Sequence, residues 1–543
     1  MMNRRPLLVP FLFAVGLFTL NNIGVLSGWL ATPSGYVHLP YANAIDNAIY
    51  MGWMRSSLER FLHPNFQGPW LTEPAVFQPL LFVVARLSRL LGISIEWGLA
   101  WGHFAWYVGG AYAVFAALRR FLPTARERVA ALVIMLLSLP VPGLLALPSE
   151  LLPLQQLGIP KLPGIGYHVW LTTDGLVRGL AGGILVTSGT VLTVVSFTSL
   201  AAYMLTSQKR YLAGASVAAF VCGLSHPYEP FLIAPAGSLG LLLWRGSEWK
   251  RAIPDAVALC AACGLGMAPT AVLALTTPWV HDAAAITRWV PPNPAALLVA
   301  LGLPTILAVT LLVTNYRMNA PTDRLLQSWV VCTLIGVYVP FIPWTQHLLD
   351  GFHVGVALLL VRQLAQSGWV ERLWARQRTL VSAAVAATVV FSAGALGVYY
   401  HQAWKDGRRV RPERLFTSVV PESNVMARDW LATHGSSTDL VLAPKSSAGW
   451  FSSVPMFSVA GNVLFSITFK EQAALSDAFY SGQMDRARAD AFLTDYGVRW
   501  VVLPDTGAAP RDLSRATARA RIGNWTILEI AGNTPKPYPG IGR

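Results

Sequence analysis

Apolar segments long enough to cross a membrane recur along residues 1–400, separated by short polar and basic stretches. Since about 20 apolar residues span the hydrocarbon core as a helix, this pattern predicts roughly 11 to 12 transmembrane helices. The first segment follows Arg4 and Arg5. Asn21 and Asn22 interrupt it, but its length favours a retained helix over a cleaved signal peptide. The later segments lie near residues 75–92, 97–118, 129–148, 180–206, 211–226, 228–244, 252–275, 295–316, 325–344, 350–366 and 379–400.

Composition and charge agree with a membrane protein. Of the 543 residues, 54% are hydrophobic and 13% are charged, whereas soluble proteins carry about 25% charged residues. The net charge is +14, but lysine and arginine concentrate beside the apolar segments, as in "SQKR" (207–210) and "ERLWARQR" (371–378). This distribution is typical of cytoplasmic loops rather than of a nucleic-acid-binding surface. The membrane is therefore an expected partner, and nucleic acid is not.

The basic loops predict the topology. They place residues 207–210 and 371–378 inside, with the polar and aromatic segment 31–74 and the tail after residue 400 outside. One conflict remains. "RRFLPTARER" (119–128) is also expected inside, but two apolar segments separate it from residues 31–74. Two crossings would return the chain to the outside. Either one segment within residues 75–118 does not cross fully, or a helix elsewhere is miscounted.

The composition changes near residue 401, where charged and small polar residues become frequent. "NVMARDWLATHG" (424–435) predicts an amphipathic helix that Gly435 ends. "DLVLAP" (439–444) and "VRWVVLPD" (498–505) predict buried strands, and "ARADAFLTDYG" (487–497) predicts the helix before the second strand. The fold class expected is thus a mainly α polytopic membrane protein. Residues 1–400 form its transmembrane domain, in which outer loop 31–74 carries interfacial helices, and residues 401–543 form an extracytoplasmic α/β domain.

Asp46 is an unusual acid within "HLPYANAIDNAIYMGWMRSS" (38–57). If this segment is a helix along the membrane surface, Asp46, Tyr50 and Trp53 share one face, and the aromatic rings favour the headgroup level. A partly dehydrated carboxylate near Arg55 can act as a general base on a membrane-embedded substrate. A helix-capping or lipid-interface acid without a catalytic role fits the same pattern.

Further ionisable residues at predicted outer helix ends are candidate binding groups. Charged side chains beside the membrane core are energetically costly, so their presence indicates a function. His226 stands before Pro227, which ends a helix, so its imidazole can bind a phosphate or simply hydrogen-bond a carbonyl. Asp174 and Arg178 are spaced i, i+4 and can hold an anionic group or a metal, or form a surface ion pair. The predicted outer loops also contain Arg288 and His347.

Several motifs together resemble the C-type glycosyltransferase superfamily, whose multispanning members use polyprenyl-phosphate sugar donors, and within it a bacterial branch that mostly lacks an assigned substrate. The resemblance spans nearly the whole chain. It rests on "DNAIYMGWMR" (46–55), "NFQGPWLTEPAVFQPLLF" (65–82), "GLSHPY" (223–228), "ARDWLATHGSSTDLVLAP" (427–444), "AGNVLFSITFKEQAALSDAFYSG" (460–482) and "LTDYGVRWVVLPD" (493–505).

The resemblance implies an enzyme of the bacterial plasma membrane that transfers a sugar to a lipid-linked or glycan acceptor on the outer face, with inversion. Asp46 matches the first-outer-loop acid that such enzymes use as catalytic base or to orient the acceptor, and His226 matches a histidine–proline pair of these relatives. The paired acid of the superfamily is here Asn47, which argues against a tightly held metal. No cofactor is therefore firmly expected, although a divalent metal stays open. A lipid-linked sugar transporter or flippase, or a noncatalytic envelope assembly protein, is the alternative.

Overall fold

The protein is described from a computed structural model. The structure describes residues 5–137, 183–280, 291–367, 379, 401, 404–405 and 419–533, apart from 33, 39–43, 67, 69–73, 292, 315–319, 341, 343, 445–446, 448–449, 452, 455, 460–468 and 511.

The membrane-associated part is almost entirely helical. Its N-terminal elements are α1 (Arg5–Asn21), α2 (Ile23–Ala31), β1 (Tyr36–His38), α3 (Ala44–Ser56), β2 (Leu62–His63), β3 (Val76–Phe77), α4 (Pro79–Leu90), α5 (Ile95–Phe121) and α6 (Ala125–Leu137). After residue 183 follow α7 (Ile184–Thr206), α8 (Lys209–Ser225), α9 (Pro230–Arg245), α10 (Ile253–Thr276), α11 (Pro294–Leu301), α12 (Leu303–Thr314), α13 (Pro321–Gly336) and α14 (Phe352–Ser367).

The described residues include three helical stretches that are long and apolar enough to cross a membrane, namely Ile184–Thr206, Pro230–Thr276 and Thr345–Ser367. A fourth is counted if the pair Leu8–Asn21 and Ile23–Ala31, bent by 60°, forms one broken span. The first apolar segment is therefore not one straight helix, because it breaks at the two asparagines. The full number of crossings stays a prediction.

Helix α4 bears on the topological conflict. It has 12 residues, and at 1.5 Å per residue it is about 18 Å long, short of the roughly 30 Å hydrocarbon core. Val83, Leu87 and Leu90 are exposed beside Arg86 and Arg89 on the same helix, a composition typical of helices that lie in the membrane surface. If α4 does not cross, α5 alone connects residues 31–74 outside to residues 119–128 inside, and the conflict disappears.

Two compact units make up the chain. The first contains Met1–Asn21, His103–Ala268 and Trp289–Gln402, and its described helices share one large apolar core. Small residues let these helices approach closely, as membrane helices commonly do. A Cβ on Gly223 of α8 would lie 2.7 Å from the backbone of Gly266 in α10, so only glycine fits there. The rings of Phe197 and Trp329 stack 4.1 Å apart within this core.

The second unit contains Asn22–Gly102, Pro269–Arg288 and Ala403–Arg543, so it joins the first predicted outer loop to the tail. Strand β1 pairs antiparallel with β4 (Val419–Pro421). The Ser458 amide donates to the Phe66 carbonyl at 2.9 Å, and the Phe66 and Phe457 rings lie 5.5 Å apart. Contacts far apart in sequence therefore tie residues 22–102 to the tail.

The tail is an α/β layer, as its sequence predicts. Its further elements are α15 (Glu422–His434), β5 (Leu440–Leu442), β6 (Phe457–Ser458), α16 (Phe469–Tyr480), α17 (Arg486–Tyr496), β7 (Trp500–Pro504), β8 (Ala516–Ile522) and β9 (Trp525–Ile530). They form a five-stranded sheet of order β6-β5-β7-β9-β8, in which β6, β5 and β7 are parallel and β9 and β8 antiparallel. The predicted helix before β7 is α17. The predicted fold class is thus confirmed, whereas the boundary at residue 400 stays a prediction.

Candidate functional site

His226 and Glu229 lie in the turn between α8 and α9. Helix α8 ends at Ser225 because the proline that follows His226 disfavours the α conformation at the histidine, whose φ and ψ are −148° and 94°. Helix α9 then begins at Pro230, where a missing amide costs nothing. The turn directs both side chains inward, where His226 Nδ1 and Glu229 Oε1 are 2.6 Å apart. Both side chains are buried.

A second histidine–carboxylate pair lies before α14. His347 belongs to a short 3₁₀ turn (Thr345–Leu349), and Asp350 follows it directly. The chain can reverse there because Gly351 has a φ of +82°. His347 Nδ1 lies 3.1 Å from Asp350 Oδ2, and the Asp350 side chain is fully buried.

The fold brings the two pairs together within the first unit. The rings of His226 and His347 meet edge to face with centroids 4.6 Å apart, and Tyr228 stacks on His347 at 4.9 Å. The carboxyls of Glu229 and Asp350 also interact directly. We call His226, Glu229, His347 and Asp350 the histidine–carboxylate cluster.

Gly189 of α7 forms one wall of the histidine–carboxylate cluster. A Cβ at this position would lie 2.2 Å from Glu229 Oε1 and 3.0 Å from His226 Nδ1, so any side chain would displace this pair. The thiol of Cys222, on α8, approaches Glu229 Oε2 at 3.8 Å. The cluster is therefore closely enclosed by helices and excludes bulky groups on this side.

Arg55 takes part in an ion-pair group of the second unit. Its guanidinium donates to Glu96 Oε1 at 2.5 Å and to the Ser453 carbonyl, and Arg428 donates to the same Glu96 oxygen at 3.2 Å. Burial by itself would raise the pKa of Glu96, but the charges of the two arginines, together with hydrogen bonds from its backbone and Ser94, bring the pKa below its ordinary value. Helices α3, α5 and α15 are thereby connected through one carboxylate.

His63 is a buried polar residue of the same unit. Its Nε2 lies 3.1 Å from Ser57 Oγ and its Nδ1 lies 3.0 Å from Ser56 Oγ. The Ser57 hydroxyl already donates to the Trp53 carbonyl at 2.8 Å, so it accepts from Nε2–H, and Nδ1 accepts from Ser56. Burial, with a smaller effect from the charge of Arg60, lowers the pKa of His63 to about 4. The imidazole is therefore neutral near pH 7.

The described part of the structure brings together only some of the site residues predicted from the sequence. His226 and His347 come together, as two members of one cluster. Asp46 lies in the first turn of α3, and its side chain is outside the described part of the structure. Tyr50 is buried, with its ring 6.1 Å from that of Trp53, so these two share a helix face as predicted. Three predicted residues, Asp174, Arg178 and Arg288, lie outside the described residues.

Glu229 and Asp350 lie in predicted outer loops, but they are not among the site residues predicted from the sequence. A signal was available, because "HPYE" (226–229) and "HLLD" (347–350) share a histidine followed three residues later by an acid. Within one turn of chain, this spacing lets the carboxylate reach the imidazole.

Comparisons with known proteins show which fold this is. No protein-family model matches the chain, and no curated protein matches it in sequence. Solved structures do match. ArnT from Cupriavidus metallidurans, bound to undecaprenyl phosphate, is 10% identical with a TM-score of 0.52, over 99% of this chain and 100% of ArnT.

Two other enzymes are similar in structure. The Archaeoglobus fulgidus oligosaccharyltransferase is 12% identical with a TM-score of 0.50, over 93% of this chain and 70% of that one. The arabinofuranosyltransferase AftD from Mycobacteria is 16% identical with a TM-score of 0.50, over 98% of this chain and 40% of AftD. All three are C-type membrane glycosyltransferases. The chain therefore has the C-type glycosyltransferase fold that its sequence motifs indicate.

Proposed function

We propose that the protein is a membrane glycosyltransferase that transfers a sugar from a polyprenyl-phosphate donor to a lipid-linked or glycan acceptor of the cell envelope. The observation that carries the proposal is the likeness to ArnT, which extends over 99% of this chain and all of that one. The ArnT structure contains undecaprenyl phosphate, the kind of lipid whose sugar-bearing form would serve as donor here.

Asp46 is the proposed general base. It would remove the proton of the acceptor hydroxyl as this oxygen attacks the anomeric carbon, and the lipid phosphate would leave as a monoester, which inverts the configuration. Its place in the first turn of α3 supports the proposal, because the partial positive charge of a helix N-terminus stabilises a carboxylate in its charged, basic form.

Polar side chains on the outer side would hold the phosphate group of the polyprenyl-phosphate sugar. His226 and His347 are one proposed pair, because their rings lie 4.6 Å apart in one cluster. The other proposed substrate-binding residues are Tyr50, Arg55, Asp174, Arg178 and Arg288. Arg55 is already engaged by a carboxylate, so its proposed role includes holding α3 in place.

The proposed location is the bacterial plasma membrane, with residues 401–543 outside the cytoplasm. The pairing of β1 with β4 supports this arrangement, because it places the start of the first predicted outer loop and the tail in one unit. The tail would then shape the acceptor side of the site.

The test is a glycan and glycolipid profile of cells that lack the gene, complemented by the wild type or by variants. We expect the wild type to restore a missing envelope glycan and Asp46→Asn to leave it missing at equal protein level. Glu59→Gln, an exposed acid of the same predicted outer loop, is the matched control and should restore the product. Full restoration by Asp46→Asn would overturn the proposed base.

A further inference from the structure

The histidine–carboxylate cluster has an unbalanced charge. Glu229 and Asp350 are both fully buried and interact directly. Among the described residues, neither forms an ion pair with an arginine or lysine, and the groups that contact them are the two histidines, the Cys222 thiol and each other's carboxyl. Two buried carboxylates without a compensating charge repel each other, and buried charges are normally paired or coordinate a metal.

One oxygen of the histidine–carboxylate cluster also lacks a donor. Asp350 Oδ1 is buried and receives no hydrogen bond within the described part of the chain. A buried carboxylate oxygen without a partner loses its hydration and gains no hydrogen bond in return, which is unfavourable. A cation bound at this oxygen would remove that penalty.

The distances in the histidine–carboxylate cluster suit a small cation. One potential ligand atom from each of His226, His347 and Asp350 lies within 4.8 Å of the other two. In tetrahedral zinc sites, with ligand distances near 2.0–2.1 Å, two ligand atoms lie about 3.3 Å apart. His347 Nδ1 and Asp350 Oδ2, at 3.1 Å, already have this separation. A side-chain rotation that brings the third ligand closer would complete three protein ligands.

Glu229 has the geometry of an orienting partner. Metal-bound histidines usually donate their other ring N–H to a carboxylate, which fixes the ring and its tautomer. Glu229 Oε1 meets His226 Nδ1 at 2.6 Å, so Nδ1 carries the proton and the Nε2 lone pair is available as a ligand. Gly189 keeps this arrangement possible, because its missing side chain leaves room for the carboxylate.

We propose that His226, His347 and Asp350 bind a divalent transition metal of the zinc class, with Glu229 orienting His226. Two imidazoles and one carboxylate suit zinc better than magnesium or calcium, which prefer oxygen ligands alone. Three protein ligands leave a position open to water or to an oxygen of a phosphate. Asp46 is not among the proposed ligands, and the sequence leaves a divalent metal open without assigning it any of these three ligands.

The test is the metal content of the full-length protein, purified in detergent through a tag without histidine. We expect about one equivalent of zinc per chain by mass spectrometry. Removal by a chelator should lower the thermal unfolding midpoint, and added Zn²⁺ should restore it. Co²⁺ added to the stripped protein should give the strong visible absorption of a four-coordinate nitrogen and oxygen site.

Variants distinguish metal bound at the histidine–carboxylate cluster from metal bound elsewhere on the protein. His347→Ala and Asp350→Asn should lose zinc and the cobalt spectrum, whereas His434→Ala, an exposed histidine of the tail, should keep both. Wild-type protein that contains no metal, shows no cobalt spectrum and has a midpoint insensitive to chelator would overturn the proposal. Zinc that persists equally in both cluster variants would also overturn it. These readouts do not depend on glycosyl transfer, so a failure here is distinguishable from a failure of the proposed function.

Discussion

Replacing Gly189 by alanine tests whether helix packing holds the histidine–carboxylate cluster together. The new Cβ would lie 2.2 Å from Glu229 Oε1 and 2.7 Å from its Cδ. Carbon atoms rarely approach closer than about 3.5 Å without repulsion, so either α7 moves by roughly 1 Å or the Glu229 side chain swings away. The second response breaks its 2.6 Å contact with His226.

The magnitude follows from two opposing effects. Alanine favours a helix over glycine by about 0.8–1.0 kcal/mol. Overpacking costs about 1–3 kcal/mol, and a buried polar group left without its partner costs a further 1–3 kcal/mol. We therefore expect Gly189→Ala to destabilise the protein by roughly 1–5 kcal/mol net.

The assay is thermal unfolding in detergent, followed by the fluorescence of the 20 tryptophans. Gly214→Ala in α8 is the matched control, because its nearest neighbour to a new Cβ is Ser199 Oγ at 3.8 Å. It should leave the midpoint unchanged or raise it. A Gly189→Ala protein as stable as Gly214→Ala would refute the packing argument.

Two further predictions concern the second unit. Glu96→Gln leaves Arg55 and Arg428 facing each other without their carboxylate, so it should lower the free energy of unfolding by about 2–4 kcal/mol. Glu248→Gln removes one partner of the exposed Glu248–Arg251 pair, so it should change the free energy of unfolding by less than about 1 kcal/mol. Equal effects of the two substitutions would contradict the prediction. The pKa of His63 rises from about 4 in the folded chain to 6.5 in the unfolded one. Between these values the unfolded state binds more protons, so stability falls by about 2 kcal/mol from pH 7 to pH 5. Unfolding midpoints measured between pH 7 and pH 5 should fall less steeply with decreasing pH in His63→Gln than in the wild type. The same dependence on pH in both proteins would contradict the prediction.

Local patterns in the sequence predict much of the helical architecture and of the tail. The apolar segments near 211–226 and 252–275 correspond to α8 and α10 within two residues at each end. In the tail, Gly435 follows directly after α15, as predicted. These predictions are correct because helix bounds depend on residues only a few positions apart, through the apolar periodicity and the residues that end a helix.

The features that were missed depend on distant residues. Nothing near Glu229 in the sequence indicates that it meets Asp350, because the contact arises only when two helix ends approach in the fold. The pairing of Tyr36 with Pro421 likewise joins segments that are 385 residues apart in the chain. Such contacts depend on topology, which local periodicity does not specify.

Binding of a polyprenyl phosphate is the most direct test of the central claim. Native mass spectrometry of the purified protein with undecaprenyl phosphate should show one lipid bound in preference to phosphatidylglycerol of similar apolar mass. His226→Ala with His347→Ala should weaken this binding by tenfold or more, or about 1.4 kcal/mol, while Glu59→Gln should not. Equal retention of both lipids by the wild type would contradict the proposed lipid-phosphate donor.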